Sequence, residues 1–116
     1  MLRRAADTVG RVAHLRWSGR PTGVGPVMIA AFEGWNDAGD AATSAVDHLA
    51  RRWDATTFAE IDPEDFYDFT ATRPHIRLHD GVTRSIEWPR NTFRWAQPES
   101  TGGVVLLRGV EPQLRW

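Results

Sequence analysis

The chain of 116 residues contains no cysteine, no lysine and no long apolar run. Without cysteine it has no disulfides, no thiolate nucleophile and no cysteine-ligated zinc, and we expect a reducing, cytoplasmic setting. Because all fourteen basic residues are arginine, a Schiff-base lysine and a P-loop lysine are excluded. No segment approaches the roughly 18 apolar residues of a membrane span. We therefore expect no membrane partner.

Charge and motif content exclude further classes. A formal net charge of −1 argues against a nucleic-acid binder, which needs a basic face. The chain has no G-x-S-x-G serine elbow and no phosphate-binding loop, because Asp40 stands where a P-loop that began at Gly34 would need lysine. We therefore assign no catalytic residue and predict no cofactor.

One segment passes from an apolar run into a polar loop and then into helical spacing. Val27 to Phe32 has the composition of a buried strand, and Glu33 to Asp40 is rich in glycine and acidic residues. Apolar residues then recur with the period of a helix that packs one face on a sheet, namely Ala41, Ala42, Ala45, Val46, Leu49, Ala50 and Trp53. This order predicts the opening of an α/β fold, in which the loops that leave the carboxyl ends of strands bind ligands.

Four later segments predict further strands. Thr56 to Ile61 predicts the second strand of a right-handed βαβ unit. Ile76 to Ile86 alternates apolar and polar residues around an Asp-Gly pair, which predicts an inserted antiparallel hairpin. Phe93 to Trp95 predicts a short extended piece. Val104 to Leu107 is a continuous apolar run, which is typical of a strand buried on both faces. We expect a loop from Arg108 to Pro112 at the carboxyl end of this strand.

The two ends of the chain predict an incomplete domain. Residues 1–24 predict a lead-in with a short edge strand near His14 to Trp17, and residues 25–116 predict the domain itself. Gln113 to Trp116 predicts the start of a helix that the chain does not finish. A central strand without its following helix leaves apolar sheet surface uncovered and a strand edge unpaired. We therefore expect this chain to be the front part of a longer protein.

Three motifs together are specific: Ala31 to Ala42, Asp62 to Phe69 and Leu107 to Pro112. In this order they resemble the PAC2 family, the proteasome assembly chaperone 2-like proteins, in its actinobacterial branch. The resemblance implies a three-layer αβα fold with a mainly parallel central sheet, like that of the nucleoside phosphorylase and peptidyl-tRNA hydrolase group, and self-association into an oligomer. Because family members are substantially longer, it also implies that the C-terminal half of the fold is missing here.

The predicted loop and the end of the later strand hold the candidate ligand or interaction residues, which are Glu33, Gly34, Trp35, Asn36, Asp37, Asp40, Arg108 and Glu111. Asp37 or Asn36 is suited to cap the helix, with Asp40 in its first turn, and a ligand or metal role is the alternative. If the two strands are neighbours, Arg108 faces the loop across the sheet. It then either forms a structural ion pair with Glu33 or Asp37, or binds a small anion.

Two other groups of residues have competing interpretations. The acidic and aromatic stretch from Glu60 to Phe69 predicts either a partner-binding patch or a loop whose aromatic side chains fill the core. His75 and His79 would lie about 13 Å apart in an extended hairpin arm, which is too far for one metal ion. We therefore predict no metal site and expect both histidines to face solvent.

These observations predict a non-enzymatic, assembly-chaperone-like scaffold that binds a protein partner or copies of itself, and the resemblance suggests a link to the proteasome system. The alternative is a small-ligand-binding protein, or a hydrolase-like or phosphorylase-like enzyme, with a pocket at the carboxyl ends of the strands. The lack of a catalytic constellation favours the scaffold.

Overall fold

The described part of the chain consists of eight strands and one α-helix. A computed structural model describes residues 10–12, 14–70, 73–99 and 101–113. In chain order the elements are β1 (Gly10–Val12), β2 (Leu15–Trp17), β3 (Val27–Glu33), α1 (Ala41–Arg52), β4 (Thr56–Ile61), β5 (His75–His79), β6 (Thr83–Glu87), β7 (Asn91–Ala96) and β8 (Val104–Val110). Short 3₁₀ turns at Ala38–Asp40 and Pro63–Asp65 precede α1 and follow β4.

Six strands form one sheet in the order β1-β2-β4-β7-β8-β3. The β3–β8 pair is parallel, and the other four pairs are antiparallel. This pairing corrects the expectation of a mainly parallel sheet for the described residues. The connection from β7 to β8 is too short for a crossover, so these strands pair as antiparallel neighbours. As predicted for a βαβ unit, β3 and β4 run in the same direction, but β7 and β8 lie between them.

The helix packs on one face of the sheet. Its buried residues Val46 and Ala50 contact Ala31 of β3 and Val104 and Leu106 of β8. The predicted apolar stripe is therefore confirmed in the second half of the helix, where Leu49 and Trp53 also pack against this core. At the start of the helix the prediction is wrong, because the three alanines are exposed and a threonine is buried instead: Ala41, Ala42, Ala45 and Thr43.

The opposite face of the sheet is apolar and incompletely covered. Register places Met28 and Ala30 of β3 beside Val105 and Leu107 of β8 on this face, while α1, the one α-helix of the described residues, lies on the other. Met28 is 60% exposed, and β3 forms the edge of the sheet. Among the described residues an exposed apolar face and an unpaired edge are therefore present, although the edge is β3 and not the later strand β8. One helical layer is present there, so the three-layer arrangement stays a prediction.

The predicted hairpin is confirmed as a separate two-stranded sheet of β5 and β6. The chain reverses at Asp80 and Gly81, both of which have a positive φ, as the Asp-Gly pair predicted. The side chains of β5 are all exposed. The hairpin therefore stands outside the core and adds no buried apolar surface to it.

Other boundaries differ from the prediction. β8 continues to Val110, so Arg108 lies in a strand and not in the expected loop. The strand predicted near His14 to Trp17 forms as β2, but β1 pairs with its outer side, so β2 is not the edge. Gln113 is not helical, and the rest of the expected helix, residues 114–116, lies outside the described residues.

Candidate functional site

The loop between β3 and α1 is organised around the Asp37 carboxylate. One oxygen, Oδ1, accepts hydrogen bonds from the backbone N–H groups of Ala42 at 2.7 Å and Thr43 at 3.2 Å. The other, Oδ2, accepts the hydroxyl of Thr43. The Asp37 carboxylate therefore satisfies the first N–H groups of the helix, as a cap does, but Asp37 precedes the helix by a full 3₁₀ turn, and the prediction that placed Asp40 in the first turn is wrong. Asp40 occupies the N-cap position itself, with φ +57° and no capping hydrogen bond from its side chain.

These hydrogen bonds determine the charge state of Asp37. The hydroxyl of Thr43 contributes most to holding the pKa of Asp37 below its usual range, and the two backbone N–H groups and the charge of Arg108 act in the same direction, while burial opposes them. Asp37 is therefore an anion at neutral pH. Both of its oxygens already face the helix, which is the geometry of a structural cap.

Parallel pairing of β3 and β8 brings Glu33 and Arg108 together, as expected from their positions near the strand ends. Arg108 Nη2 lies 2.6 Å from Glu33 Oε1. Its Nε lies 3.4 Å from Oδ2 of Asp47 in α1, and Asp47 Oδ1 lies 3.9 Å from Arg94 of β7. The four side chains form an alternating chain of charges on the helix side of the sheet. Their charges compensate one another, which is typical of a structural network.

Glu111 and Gly34 meet just beyond the strand ends. The backbone N–H of Glu111 donates to the carbonyl of Glu33 at 2.9 Å, which extends the pairing of β3 with β8 by one residue. A Cβ on Gly34 would lie 2.6 Å from Glu111 Oε2, and the φ of Gly34 is +150°. The backbone conformation therefore favours glycine at position 34, and a Cβ there would require the end of the Glu111 side chain to move.

Trp35 differs from its neighbours in this loop because it contacts almost nothing. Its side chain is 99% exposed, although it lies between the glycine that packs on Glu111 and the aspartate that caps the helix. Asn36 is also exposed. The structure thus gives Asp37, Glu33, Gly34 and Glu111 structural roles and leaves an indole presented to solvent.

A polar crevice lies next to the charge network. It has a volume of about 650 Å³ and lies between the β5–β6 hairpin, α1 and the helix side of the sheet. Glu33, Asp47, Arg94 and Arg108 line it. The sequence did not predict Asp47 or Arg94, because neither lies in a loop that leaves a strand end. Only the register of β7 with β8 reveals that Arg94 shares the face of Leu106.

The acidic and aromatic stretch fills core space through Tyr67, which is 2% exposed. The Tyr67 hydroxyl donates to the carbonyl of Val110 at 3.2 Å, and the buried Asn91 Oδ1 accepts the Val110 N–H at 2.7 Å. Burial raises the pKa of Tyr67 to about 12. This confirms the core-filling interpretation for Tyr67.

The described residues contain no cluster of metal-ligating side chains. No group of three acidic or histidine side chains there is arranged to hold a metal ion. His75 and His79 are exposed, as predicted, and Nε2 of His79 lies 3.0 Å from the hydroxyl of Ser85. No helix among the described residues has the length and apolar character needed to cross a bilayer.

Comparison with known proteins shows the family to which this architecture belongs. The model of the PAC2 family matches residues 31–116, which is most of the chain. The chain belongs to the PAC2 family. No curated protein matches it. The resemblance stated from the three motifs is therefore confirmed, and the matched region contains the capping loop, the charge network and the hairpin.

Solved PAC2 structures resemble this chain over most of its length. The Mycobacterium tuberculosis proteasome-assembly chaperone homologue shares 53% sequence identity and covers 78% of this chain, with a TM-score of 0.69. A PAC2 family protein from Streptomyces avermitilis shares 50% identity over 78% of the chain, with a TM-score of 0.68. This chain covers only 39% of either protein.

A more distant match extends the fold comparison. PbaB from Pyrococcus furiosus, an archaeal proteasome activator, has a TM-score of 0.58 at 17% identity, covering 84% of this chain and 36% of its own. At this identity the likeness shows a shared fold alone.

Proposed function

We propose that this PAC2 chain is part of an assembly-chaperone-like protein that binds a protein partner, or further copies of itself, through exposed apolar side chains and without catalysing a reaction. The observation that carries the proposal is Trp35, a large aromatic residue that is 99% exposed although its neighbour Asp37 is held by hydrogen bonds to the helix. Tryptophan is enriched among the residues that dominate binding energy at protein interfaces.

The hairpin offers a second group of contacts. In the register of β5 with β6, Ile76 lies opposite Ile86, and Leu78 shares their face. Their exposures are 63%, 58% and 61%. A two-stranded hairpin is marginally stable unless it packs against something. We propose that the apolar face of the hairpin and Trp35 together form the interaction surface.

The charge network argues against the alternative, a small-ligand binder or enzyme at the strand ends. Such a site needs charged groups that face a substrate. Glu33 and Arg108 instead face each other at 2.6 Å, and Asp37 faces the helix. Thr43 does donate its hydroxyl to Asp37, but Thr43 is only 2% exposed, so this hydroxyl has little access to a substrate.

We further propose that the function is linked to the proteasome system in the cytoplasm. This step is supported by the name of one similar protein, the mycobacterial proteasome-assembly chaperone homologue, at 53% identity. We also propose that residues 25–116 are the N-terminal part of a PAC2-type domain, preceded by a lead-in at residues 1–24. In a longer chain, a further layer would then cover the apolar face that contains Met28 and complete the three-layer fold.

The test is binding of the chain to purified mycobacterial proteasome core particles and to their unassembled subunits, measured by biolayer interferometry. We expect binding by the wild type and weaker binding by the variants Trp35→Ser and Leu78→Ser. Val24→Ser is the matched control, because Val24 is 88% exposed but lies outside the proposed surface. Equal binding by all three variants would refute the surface, and absence of binding to any subunit would refute the proteasome link.

A further inference from the structure

The crevice beside the charge network is rich in arginine. Five arginines line it, Arg73, Arg77, Arg90, Arg94 and Arg108, against three carboxylates. The chain as a whole has a formal net charge of −1, so this local surplus of positive charge is unlike the rest of the protein. A concave site lined by one sign of charge concentrates ligands of the opposite sign.

The five guanidinium groups differ in how closely they approach carboxylates. Arg108 lies 2.6 Å from Glu33, and Arg77 lies 2.8 Å from Glu87, so both are hydrogen-bonded to carboxylates. Arg94 and Arg90 approach their nearest carboxylates only to 3.9 and 3.8 Å, which is longer than a hydrogen bond. Arg73 forms no ion pair with any described residue. Arg90 and Arg94 are therefore only loosely paired, and together with Arg73 they offer planar guanidinium groups that match carboxylate geometry.

The rest of the lining indicates what kind of anion fits. The three carboxylates in the crevice, from Glu33, Asp47 and Glu87, would repel a ligand with a dense and continuous charge such as a nucleic-acid backbone. Apolar groups lie between the arginines, including Trp88, whose side chain is 49% exposed. A polypeptide that alternates acidic and apolar side chains suits such a mixed surface.

We propose that this crevice binds an acidic polypeptide segment, whose carboxylates occupy Arg73, Arg90 and Arg94 while its apolar side chains lie on Trp88. The proposal rests on the proposed function, because it names the chemistry of the partner. The crevice supplies charge selectivity, and the exposed Trp35 and hairpin face supply apolar contact. Charge complementarity of this kind selects partners and speeds their encounter.

Fluorescence anisotropy with labelled peptides tests the proposal. The probes are a short peptide that alternates glutamate and leucine, and its counterpart with lysine in place of glutamate, at about 50 mM salt, where screening is modest. Of the two peptides, we expect only the acidic one to bind. A triple variant, Arg73→Gln, Arg90→Gln and Arg94→Gln, should weaken binding about tenfold or more, because each exposed charge pair contributes up to about fivefold.

The matched control replaces Arg51 and Arg52 by glutamine, since these exposed arginines at the end of α1 lie outside the crevice. The control should change affinity less than about twofold. An equal loss in the control, or no binding of the acidic peptide, would overturn the proposal. Displacement of the bound acidic peptide by citrate or phosphate at concentrations lower than those of unlabelled peptide that displace it would also overturn the proposal, in favour of a small-anion site.

Two further measurements keep the test decisive. Thermal unfolding confirms that the triple variant is folded, and the single variant Arg90→Gln, at a side chain 59% exposed, should still weaken binding about twofold to threefold. Trp35→Ser should leave peptide affinity unchanged. Peptide binding without subunit binding would therefore refute the proposed function alone, and subunit binding without peptide binding would refute the crevice alone.

Discussion

Replacement of Trp35 by serine separates a role in binding from a role in folding. The side chain is 99% exposed, so the folded chain loses almost no buried apolar area when the indole is removed. We expect the free energy of unfolding to change by less than about 0.5 kcal/mol, as for other surface substitutions. A tryptophan at the centre of an interface contributes about 2 kcal/mol or more, which corresponds to roughly 30-fold weaker binding.

Urea denaturation followed by circular dichroism measures the first quantity, and titration against the partner or the chain itself measures the second. The matched variant is Leu106→Ala, at a side chain with no exposed area, which should cost about 2–5 kcal/mol of stability through the cavity it leaves. Unchanged binding by Trp35→Ser would refute the proposed surface. A large loss of stability would refute the exposed position of the indole.

Three further outcomes follow from the described contacts. The pKa of Asp37 is lower in the folded chain than in the unfolded chain, so Asp37 stabilises the fold above its unfolded pKa, and this stabilisation is lost as the pH falls through its folded pKa. The variant Asp37→Asn should therefore show a smaller loss of thermal stability at acidic pH than the wild type. Because burial raises the pKa of Tyr67 to about 12, stability should fall as pH rises from about 10, and Tyr67→Phe should remove this part of the loss. A Cβ on Gly109 would lie 1.6 Å from Oδ1 of Asn91, so Gly109→Ala should cost about 2–4 kcal/mol in urea denaturation; a cost below about 0.5 kcal/mol would contradict this packing.

Local patterns predicted the elements but not their neighbours in the sheet. The Asp-Gly pair predicted the hairpin at Asp80, and the helical period predicted the contacts of Val46 and Ala50. The sequence did not predict that β7 and β8 lie between β3 and β4. Strand order depends on long-range pairing, and the short connection of β7 to β8 produces an antiparallel pair that no local pattern specifies.

The candidate site was predictable where it depends on strand ends. Glu33 and Arg108 follow adjacent runs of apolar residues, and an ion pair of Arg108 with Glu33 or Asp37 is one of the two interpretations that the sequence leaves open; the structure has the pair with Glu33. Asp47 was missed because an acidic residue on an amphipathic helix is ordinarily solvated. Arg94 was missed because its face depends on the register of β7. Asp37 lies before the 3₁₀ turn and still caps the helix. Asp40, between the two, has a left-handed backbone conformation, which an aspartate adopts only rarely.

The most direct test of the account is the mass of the wild-type chain in solution, alone and mixed with proteasome subunits, measured by light scattering over a range of concentrations. We expect a mass above the 13.1 kDa of one chain, either alone as concentration rises or in complex with a subunit, and a cooperative unfolding transition. A mass of one chain at every concentration, with no complex in the mixtures, would contradict the central claim that the exposed apolar surface binds a protein.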